Sequence, residues 1–336
     1  MQDIKIAFFD VSKEDREYIE KHHQENRVLL FEEPLTAESA HHAKDCEIVS
    51  VFINSKIDKA VLEHLPNLKL IATRSTGFDH INQEDCVARG VQISNVPFYG
   101  ENTVAEHAFA LILALSRNVH KSYMRTLRND FSIDGLKGFD LNGKTLGVIG
   151  TGRIGMHMIR IAKGFGMHVL AFDVRQDIFL SEILHFKYVS MEELLAQSDI
   201  ISLHTPYNES THHLINEETI NKMKPGVLLI NTARGGLIDN NALIQGLDKK
   251  IIAGVGLDVL EGEELIREEK QLLRHSEKSS AKLEELLKNH LLLSQDNVVF
   301  TPHIAFYSQE ALERILDSTM ASIESFESGD LLNEVK

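Results

Sequence analysis

Short apolar runs alternate with amphipathic segments along the first hundred residues of the chain. The apolar runs predict five strands, at 4–9, 28–31, 47–52, 68–73 and 91–94. Segments between them carry apolar residues at helical spacing and predict helices at 13–24, 56–65 and 83–89. Strands that alternate with helices pair in parallel through crossover connections. The pattern therefore predicts a small α/β domain at the start of the chain.

The same alternation resumes after a long helical pattern at 101–127. Apolar runs predict further strands at 144–149, 168–172, 199–203, 227–231, 251–259 and 297–300, with a short strand at 187–189. The segment 263–293 is rich in Glu, Lys and Leu and predicts an inserted helix or helical hairpin, and 308–327 predicts an amphipathic helix. The second half of the chain is therefore also expected to be α/β.

A glycine-rich turn joins the strand at 144–149 to the helix that follows it. Gly150, Gly152 and Gly155 have the spacing GxGxxG, and the next strand ends in Asp173. The glycines allow a tight turn, a close approach to a pyrophosphate and close helix–strand packing, while the helix N-terminus attracts phosphate. Asp173 can accept hydrogen bonds from both ribose hydroxyls and would repel a 2′-phosphate. This context predicts a site for NAD rather than NADP, a preference that Arg175 could soften; the alternative is a glycine turn without a ligand.

Composition narrows the range of partners. The formal net charge is −15, which disfavours nucleic acid and anionic lipid because both bind basic surfaces. The two cysteines, Cys46 and Cys86, lack a CxxC spacing and fit a reducing compartment. No run reaches the roughly 18 apolar residues of a membrane helix, and no signal-peptide pattern precedes the first strand. A cytoplasmic protein without nucleic-acid or membrane partners is expected.

Three polar side chains follow apolar strands in the second half of the chain. Arg234 comes after the strand at 227–231, Glu263 after the strand at 251–259, and His303 after the strand at 297–300. The carboxyl ends of parallel strands meet at one edge of a sheet, so these side chains are expected near a bound nicotinamide. Arg234 can bind a carboxylate and polarise a carbonyl, and His303 can donate a proton to the carbonyl oxygen. Glu263 can orient that histidine and stabilise its protonated form, and the set predicts hydride transfer to a 2-keto acid.

Histidine pairs are a second candidate for chemistry, since the chain has 17 histidines. Adjacent histidines occur at 22–23, 41–42 and 212–213. Neighbouring side chains on a strand or helix point apart, and no acid or cysteine cluster with ligand spacing accompanies these pairs. No metal site is therefore expected.

Four segments resemble the D-isomer-specific 2-hydroxyacid dehydrogenase family. They are GVIGTGRIG at 147–155, NTARG at 231–235, GLDVLEGE at 256–263 and TPHIA at 301–305. Their order and spacing are similar to those of the family, and the likeness covers essentially the whole chain. The resemblance implies that Arg234, Glu263 and His303 are the catalytic residues.

The resemblance also implies binding residues for the cofactor and the substrate. The residues implied for NAD are Gly150, Gly152, Arg153, Ile154, Gly155, Asp173, His204, Thr205, Pro206, Thr232, Ala233, Arg234, Asp258 and His303. The residues implied for the substrate are Ser75, Thr76 and Gly77, whose backbone N–H groups hold the carboxylate in the family, together with Tyr99, Arg234, His303 and Phe306. Core packing is the alternative for the two aromatic residues.

A domain arrangement follows from the same resemblance. It implies an α/β fold of two Rossmann-like or flavodoxin-like parallel-sheet domains with a cleft between them. The substrate domain is discontinuous, at 1–100 plus 301–336, and the NAD-binding Rossmann domain is at 101–300 with the helical insert at about 263–293. Family members are usually dimers, and the helix at 101–127 belongs to their dimer contact, so a homodimer is expected.

The branch of the family is indicated by the segment NVPFY at 95–99 and by the long insert. Both resemble the D-lactate dehydrogenases, which implies reversible hydride transfer between NADH and pyruvate to give D-lactate. Glu264 stands where many family members have proline, a departure that is common in the same branch. Dehydrogenases of phenylpyruvate, glyoxylate, hydroxypyruvate or phosphoglycerate stay open as alternatives, as does an NAD(H)-sensing protein without turnover.

Overall fold

The computed structural model describes residues 4–22, 27–263 and 280–335. The chain divides into two compact units: unit 1 is Met1–Gly100 with Tyr307–Lys336, and unit 2 is Glu101–Phe306. The second boundary lies at 306/307 rather than at the expected 300/301. The reason is local, because residues within 301–305 hydrogen-bond to the Asp258 carboxylate of unit 2.

Strands and helices alternate through both units, as the apolar pattern predicts. The strands are β1 (Ile6–Phe8), β2 (Val28–Leu30), β3 (Ile48–Val51), β4 (Leu70–Thr73), β5 (Gln92–Ser94), β6 (Thr145–Ile149), β7 (His168–Phe172), β8 (Lys187–Tyr188), β9 (Ile200–Leu203), β10 (Val227–Asn231), β11 (Ile252–Leu257) and β12 (Val298–Phe300). The α-helices are α1 (Lys13–His22), α2 (Lys59–Glu63), α3 (Gln83–Ala88), α4 (Glu101–Ser116), α5 (Val119–Thr126), α6 (Arg153–Gly164), α7 (Ile178–Leu184), α8 (Met191–Gln197), α9 (Glu217–Asn221), α10 (Asn240–Asp248), α11 (Ser280–Leu293) and α12 (Gln309–Glu327). Of the expected insert at 263–293, α11 is described and 264–279 lies outside the described residues.

Unit 1 is built on a parallel sheet in the order β2-β1-β3-β4-β5. The C-terminal helix α12 belongs to this unit because its apolar face, with Leu316, Met320 and Ile323, is buried against Ile6 and Phe8 of β1. The Ser308 side chain caps α12 by accepting a hydrogen bond from the Ala311 amide. Unit 1 is thus completed by residues from the far end of the chain.

Unit 2 is built on a parallel sheet in the order β12-β11-β10-β9-β6-β7-β8. The chain order reverses beside β6, which pairs with β7 on one side and β9 on the other. Such a reversal creates a crevice at the carboxyl ends of β6 and β9, where open α/β sheets bind ligands. Gly150 and His204 follow those two ends directly, so the fold confirms the predicted two-sheet α/β class and places the glycine loop at the switch point.

The prediction of a single long helix at 101–127 is wrong in one respect, because the structure has two helices there, α4 and α5. Asn118 adopts a left-handed conformation with φ of 50°. The Ser116 carbonyl, which would continue the helix, accepts a hydrogen bond from the Phe139 amide at 2.9 Å. A tertiary contact that is remote in sequence therefore ends α4. Among the described residues, no helix is both long and apolar enough to cross a membrane.

Candidate active site

The glycine loop between β6 and α6 has the geometry of a phosphate cradle. Gly150 has φ of 95°, and a Cβ added there would lie 2.5 Å from the His204 carbonyl oxygen, so only glycine fits. Gly152 is the N-cap of α6 and has no side chain to occupy the first N–H groups of the helix. A Cβ at Gly152 would meet no described atom within 4 Å. The open space and the free helix N-terminus fit a pyrophosphate.

The rest of the loop is arranged around that helix end. Arg153 is exposed, and its guanidinium lies 3.6 Å from the Glu101 carboxylate. Ile154 is half-buried against the core beside α4, and Gly155 is buried in the first turn of α6. A cation at the rim of the helix N-terminus adds to the positive potential that a dinucleotide phosphate meets.

Asp173 lies at the end of β7, facing the glycine loop. Its carboxylate accepts hydrogen bonds from the Thr151 amide at 2.6 Å and from the Arg175 amide at 2.8 Å. The Thr151 hydroxyl also bonds to Asp173, at 3.1 Å, and lies 2.9 Å from the Tyr188 hydroxyl. Asp173 is therefore held by backbone donors at the place where a ribose would follow the pyrophosphate. Tyr188 was missed because its strand, β8, becomes a neighbour of β7 only in the sheet.

The loop after β9 supplies His204, Thr205 and Pro206. The His204 Nε2 atom lies 2.8 Å from the Ser202 hydroxyl, so the ring is turned back toward the strand. Burial lowers the pKa of His204 from 6.5 to about 3, and the ring is neutral at physiological pH. Thr205 is half-buried and Pro206 is exposed. Any contact of His204 with a cofactor thus comes from its backbone or from a neutral ring.

The turn after β10 carries Thr232, Ala233 and Arg234. The Asn231 side chain fixes the turn by accepting a hydrogen bond from the Ala233 amide at 3.0 Å and donating one to the Arg234 carbonyl at 2.8 Å. The Arg234 Nη1 atom donates to the Ala233 carbonyl at 2.8 Å. The buried Thr232 hydroxyl has no hydrogen-bond partner among the described residues. A buried hydroxyl without a partner is costly, and its presence here fits a bound cofactor.

Glu263 and His303 form the pair that the sequence predicts. The His303 Nδ1 atom lies 3.1 Å from the Glu263 Oε1 atom, and both side chains are about three-quarters buried. The other Glu263 oxygen accepts a hydrogen bond from the Leu260 amide at 3.2 Å. A carboxylate on Nδ1 fixes the ring's orientation, and a ring held in this way can exchange a proton through Nε2.

His303 itself adopts a strained backbone. Its φ of 56° is in the left-handed region, which costs a non-glycine residue about 1–2 kcal/mol. The cost is offset by its own amide, which donates to the Asp258 carbonyl at 2.9 Å. Strain held in this way is typical of functional positions.

The Asp258 side chain anchors the same turn. This residue has no exposed surface, and its carboxylate accepts hydrogen bonds from the Thr301 hydroxyl at 2.5 Å, the Ile304 amide at 2.9 Å and the Ala305 amide at 2.8 Å. The carboxylate thus positions the turn around His303. The sequence did not predict this anchoring role, since it implied Asp258 only as a cofactor contact. The cofactor contact stays a prediction.

The loop after β4 in unit 1 is exposed at Thr76 and partly exposed at Gly77. The Thr76 and Gly77 N–H groups donate to no acceptor within the described part of the chain. The side chains are occupied locally, because the Ser75 hydroxyl donates to the Gly77 carbonyl at 2.6 Å and the Thr76 hydroxyl donates to the Val96 carbonyl at 2.7 Å. Buried beneath the loop, Arg74 donates to the Phe9 and Asp10 carbonyls, and burial lowers its pKa. A rigid loop with free amides fits an anion such as a carboxylate.

The two aromatic residues proposed for the substrate lie in different units. Phe306 meets the His303 ring edge-on, with centroids 6.5 Å apart and planes at 79°. Tyr99 is half-buried in unit 1, and its carbonyl accepts a hydrogen bond from Arg314 of α12 at 2.5 Å. The contact of Phe306 places an apolar ring beside the His303 imidazole.

The expectation that adjacent histidines point apart is wrong for two pairs. The rings of His41 and His42 have centroids 3.8 Å apart, and so do the stacked rings of His212 and His213. Neither pair lies in a strand or an α-helix: the first is in a 3-10 helix and the second is in a turn. The side chains of the pair at 22–23 lie outside the described residues.

The chain matches a family model described as D-isomer specific 2-hydroxyacid dehydrogenase, NAD binding domain, over residues 109–305. It is 37% identical to the D-lactate dehydrogenase of Escherichia coli, with 97% of this chain and 98% of that protein covered. It is 38% identical to a 2-hydroxyacid dehydrogenase homolog of Haemophilus influenzae, with 99% of each chain covered. Its fold is similar to the crystal structure of a D-lactate dehydrogenase from Aquifex aeolicus complexed with NAD and lactic acid, with a TM-score of 0.84, 39% identity, and 97% of this chain and 96% of that chain covered.

Proposed function

The chain belongs to the D-isomer specific 2-hydroxyacid dehydrogenase family of NAD-dependent oxidoreductases, and on that premise we propose that it is a D-lactate dehydrogenase. The proposed reaction is reversible: pyruvate, NADH and a proton give D-lactate and NAD. The observation that carries the proposal is the pairing of His303 with Glu263 at 3.1 Å in a strained turn. Similar proteins named D-lactate dehydrogenase support the choice of substrate.

His303 is the proposed proton donor. When bound, NADH supplies the hydride that is transferred to the carbonyl carbon, and negative charge develops on the carbonyl oxygen. The His303 Nε2 atom gives its proton to that oxygen, while Glu263 at Nδ1 stabilises the cationic ring before the transfer. In the reverse direction His303 accepts the hydroxyl proton of D-lactate, which requires the same atom and the same orientation.

Arg234 is the proposed anchor for the substrate. Its planar guanidinium can form two parallel hydrogen bonds to a carboxylate and can polarise the neighbouring carbonyl. The Asn231 side chain fixes the turn that presents it. We assign the remaining carboxylate contacts to the free amides of Thr76 and Gly77, with Ser75 shaping that loop.

Tyr99 and Phe306 are proposed to limit the size of the substrate's side chain. Aromatic rings give rigid apolar walls, which suit a small substituent such as the methyl group of pyruvate. The discrimination that a pocket wall achieves against one extra methylene is only about 1–3 kcal/mol. Bulkier 2-keto acids are therefore the nearest alternative, and the proposal names pyruvate as the best substrate rather than the only one.

The geometry of the glycine loop supports the cofactor contacts that we propose. Gly152 and the N-terminus of α6 would hold the pyrophosphate, and Asp173 would accept hydrogen bonds from the ribose hydroxyls. We propose that Thr232 and the turn that carries it hold the nicotinamide end, which gives its buried hydroxyl a partner. Asp173 disfavours a 2′-phosphate through charge repulsion.

The test of the proposed reaction is a panel of 2-keto acids assayed by NADH oxidation. The panel contains pyruvate, glyoxylate, hydroxypyruvate, phenylpyruvate and a phosphorylated acid, and the product is identified with an enzyme specific for D-lactate. We expect the highest kcat/KM with pyruvate and a D-configured product. Preference for phenylpyruvate would replace the substrate but keep the mechanism, and NADH binding without turnover on any acid would overturn the enzymatic proposal in favour of a sensor.

A homodimer in the cytoplasm completes the proposal. Apolar side chains on and after α5 are exposed, with Phe131 75% and Ile133 82% exposed, and such a patch is typical of an interface. Both cysteines are free and buried, which fits a reducing compartment. Light scattering should give twice the chain mass, and Phe131→Lys with Tyr123→Lys should shift the protein toward monomer; a wild-type protein that is monomeric would refute the dimer.

A further inference from the structure

Two loops of unit 2 bring a pair of histidines against a glutamate. His212 and His213 lie between β9 and α9, and Glu261 lies in the turn after β11. The His213 Nε2 atom is 2.9 Å and 3.0 Å from the two Glu261 carboxylate oxygens. One ligand atom from each of the three residues lies within 4.8 Å of the others. None of these residues takes part in the proposed reaction.

The backbone around the histidines is built so that both rings face the same way. His213 has φ of 48°, in the left-handed region that non-glycine residues rarely adopt. Its amide donates to the Gly236 carbonyl at 2.9 Å, and its carbonyl accepts a hydrogen bond from the Asn216 side chain at 3.0 Å. These bonds hold the turn, and as a result the two rings stack with centroids 3.8 Å apart.

The backbone of Glu261 is held just as firmly. Its carbonyl accepts hydrogen bonds from the side chains of two buried residues, Asn240 at 3.2 Å and Asn289 at 3.0 Å. The same asparagines bond to each other at 3.0 Å. The carboxylate is therefore presented from a fixed point, opposite the histidine turn.

Two imidazoles and one carboxylate are a ligand set that binds zinc and related dications, with water in the fourth position. In a tetrahedral site with bonds of about 2.0–2.1 Å, the ligand atoms lie about 3.4 Å apart. The present separations are compatible with this value, since His213 and Glu261 are slightly closer and every separation in the cluster is at most 4.8 Å. Small side-chain rotations of the exposed His212 would complete the geometry.

Tyr207 supplies the outer contact that metal-binding histidines usually have. Its hydroxyl lies 3.1 Å from the His212 Nδ1 atom, which orients the ring and leaves Nε2 for a metal. A simple ion pair between His213 and Glu261 would need neither His212 in the stack nor this hydroxyl. We propose that His212, His213 and Glu261 bind one divalent transition-metal ion of the zinc type.

The test is direct metal binding to the full-length, tag-free protein after treatment with EDTA and without added cofactor. Co²⁺ is the probe, because a tetrahedral Co²⁺ site with nitrogen ligands absorbs strongly in the visible range, and Zn²⁺ is then used to displace it. We expect one Co²⁺ per chain, displaced by Zn²⁺, and a higher Tm in the presence of Zn²⁺ because a metal that binds only the folded state stabilises it.

Variants separate this site from other histidines. His212→Gln and Glu261→Gln should each lower Co²⁺ affinity at least about tenfold, and Tyr207→Phe, which removes only the outer hydroxyl, by about tenfold. His41→Gln is the matched control, since it removes a histidine from the other stacked pair and should leave affinity unchanged. Unchanged NADH binding verifies that each variant is folded. The proposal is overturned if the wild type does not bind Co²⁺ saturably, or if His212→Gln or Glu261→Gln binds Co²⁺ as tightly as the wild type.

Discussion

Asp258→Asn tests whether the buried carboxylate positions His303, the proposed proton donor. The change keeps the size of the side chain but replaces one carboxylate oxygen by an NH₂ group. In the structure one oxygen accepts hydrogen bonds from the Thr301 hydroxyl and the Ile304 amide, and the other accepts one from the Ala305 amide. An amide nitrogen cannot accept, so whichever way the Asn side chain is turned, at least one backbone N–H faces another donor.

The magnitude follows from the donors that lose their acceptor. A buried donor left without a partner costs about 1–3 kcal/mol, and the left-handed backbone of His303 already costs about 1–2 kcal/mol. The loss of one hydrogen bond to Asp258 therefore costs about as much free energy as the strain of the His303 backbone. If the turn relaxes with a penalty of about 2 kcal/mol, turnover falls roughly 30-fold.

The assay measures kcat with the best 2-keto acid at saturating NADH, together with the Kd of NADH and the Tm. We expect a kcat about 10- to 100-fold lower and a lower Tm, while the Kd of NADH tests separately the cofactor contact predicted for Asp258. Thr301→Val is the matched control, because it removes one hydroxyl and leaves both amides their acceptor, and we expect a loss of about fivefold for about 1 kcal/mol. An Asp258→Asn protein with kcat within twofold of the wild type would refute the anchoring role.

Four further changes test the remaining site assignments. His303→Ala should lower kcat by about 10²–10⁴ in the NADH oxidation assay while NADH still binds, because the proton donor is lost. Arg234→Lys should lower kcat/KM for the keto acid despite the retained charge, because lysine cannot form two parallel bonds to a carboxylate. Asp173→Ala should raise the KM for NADH and increase the activity ratio of NADPH to NADH, because the negative charge is removed. His204→Gln should flatten the pH dependence of the free energy of unfolding, because burial lowers the pKa of His204 in the folded state from 6.5 to about 3. The stability that the neutral buried ring provides is fully present above pH 6.5 and is lost as pH falls. The loss amounts to about 2–3 kcal/mol at about pH 4.5.

Each of these expectations has a contrary result. Full turnover by the His303→Ala protein would remove His303 as the proton donor, and unchanged kinetics for Arg234→Lys would show that a point charge is enough. An unaltered ratio of the two cofactors would remove Asp173 from the ribose site. If the free energy of unfolding depends on pH equally weakly in the wild type and in His204→Gln, the buried ring does not resist protonation.

Local patterns were enough to predict the two α/β units, the glycine loop and the pairing of Glu263 with His303. The period of apolar residues is set by the backbone geometry of each element, so β6, α6 and β7 could be located from their own residues. The turn at Gly150 is local as well, because its positive φ is a property of one residue. Glu263 and His303 could be paired because both follow neighbouring parallel strands.

Tertiary structure decided the contacts between residues that are remote in sequence. The break after α4 depends on Phe139 binding the last carbonyl of that helix, and the boundary at 306/307 depends on Asp258 binding the turn around His303. The stack of His212 and His213 against Glu261 likewise needs a left-handed turn and two buried asparagines from other elements. The period of apolar residues predicts which face of an element is buried. It does not predict which polar groups of other elements will contact that element, because those contacts form only when the elements pack together.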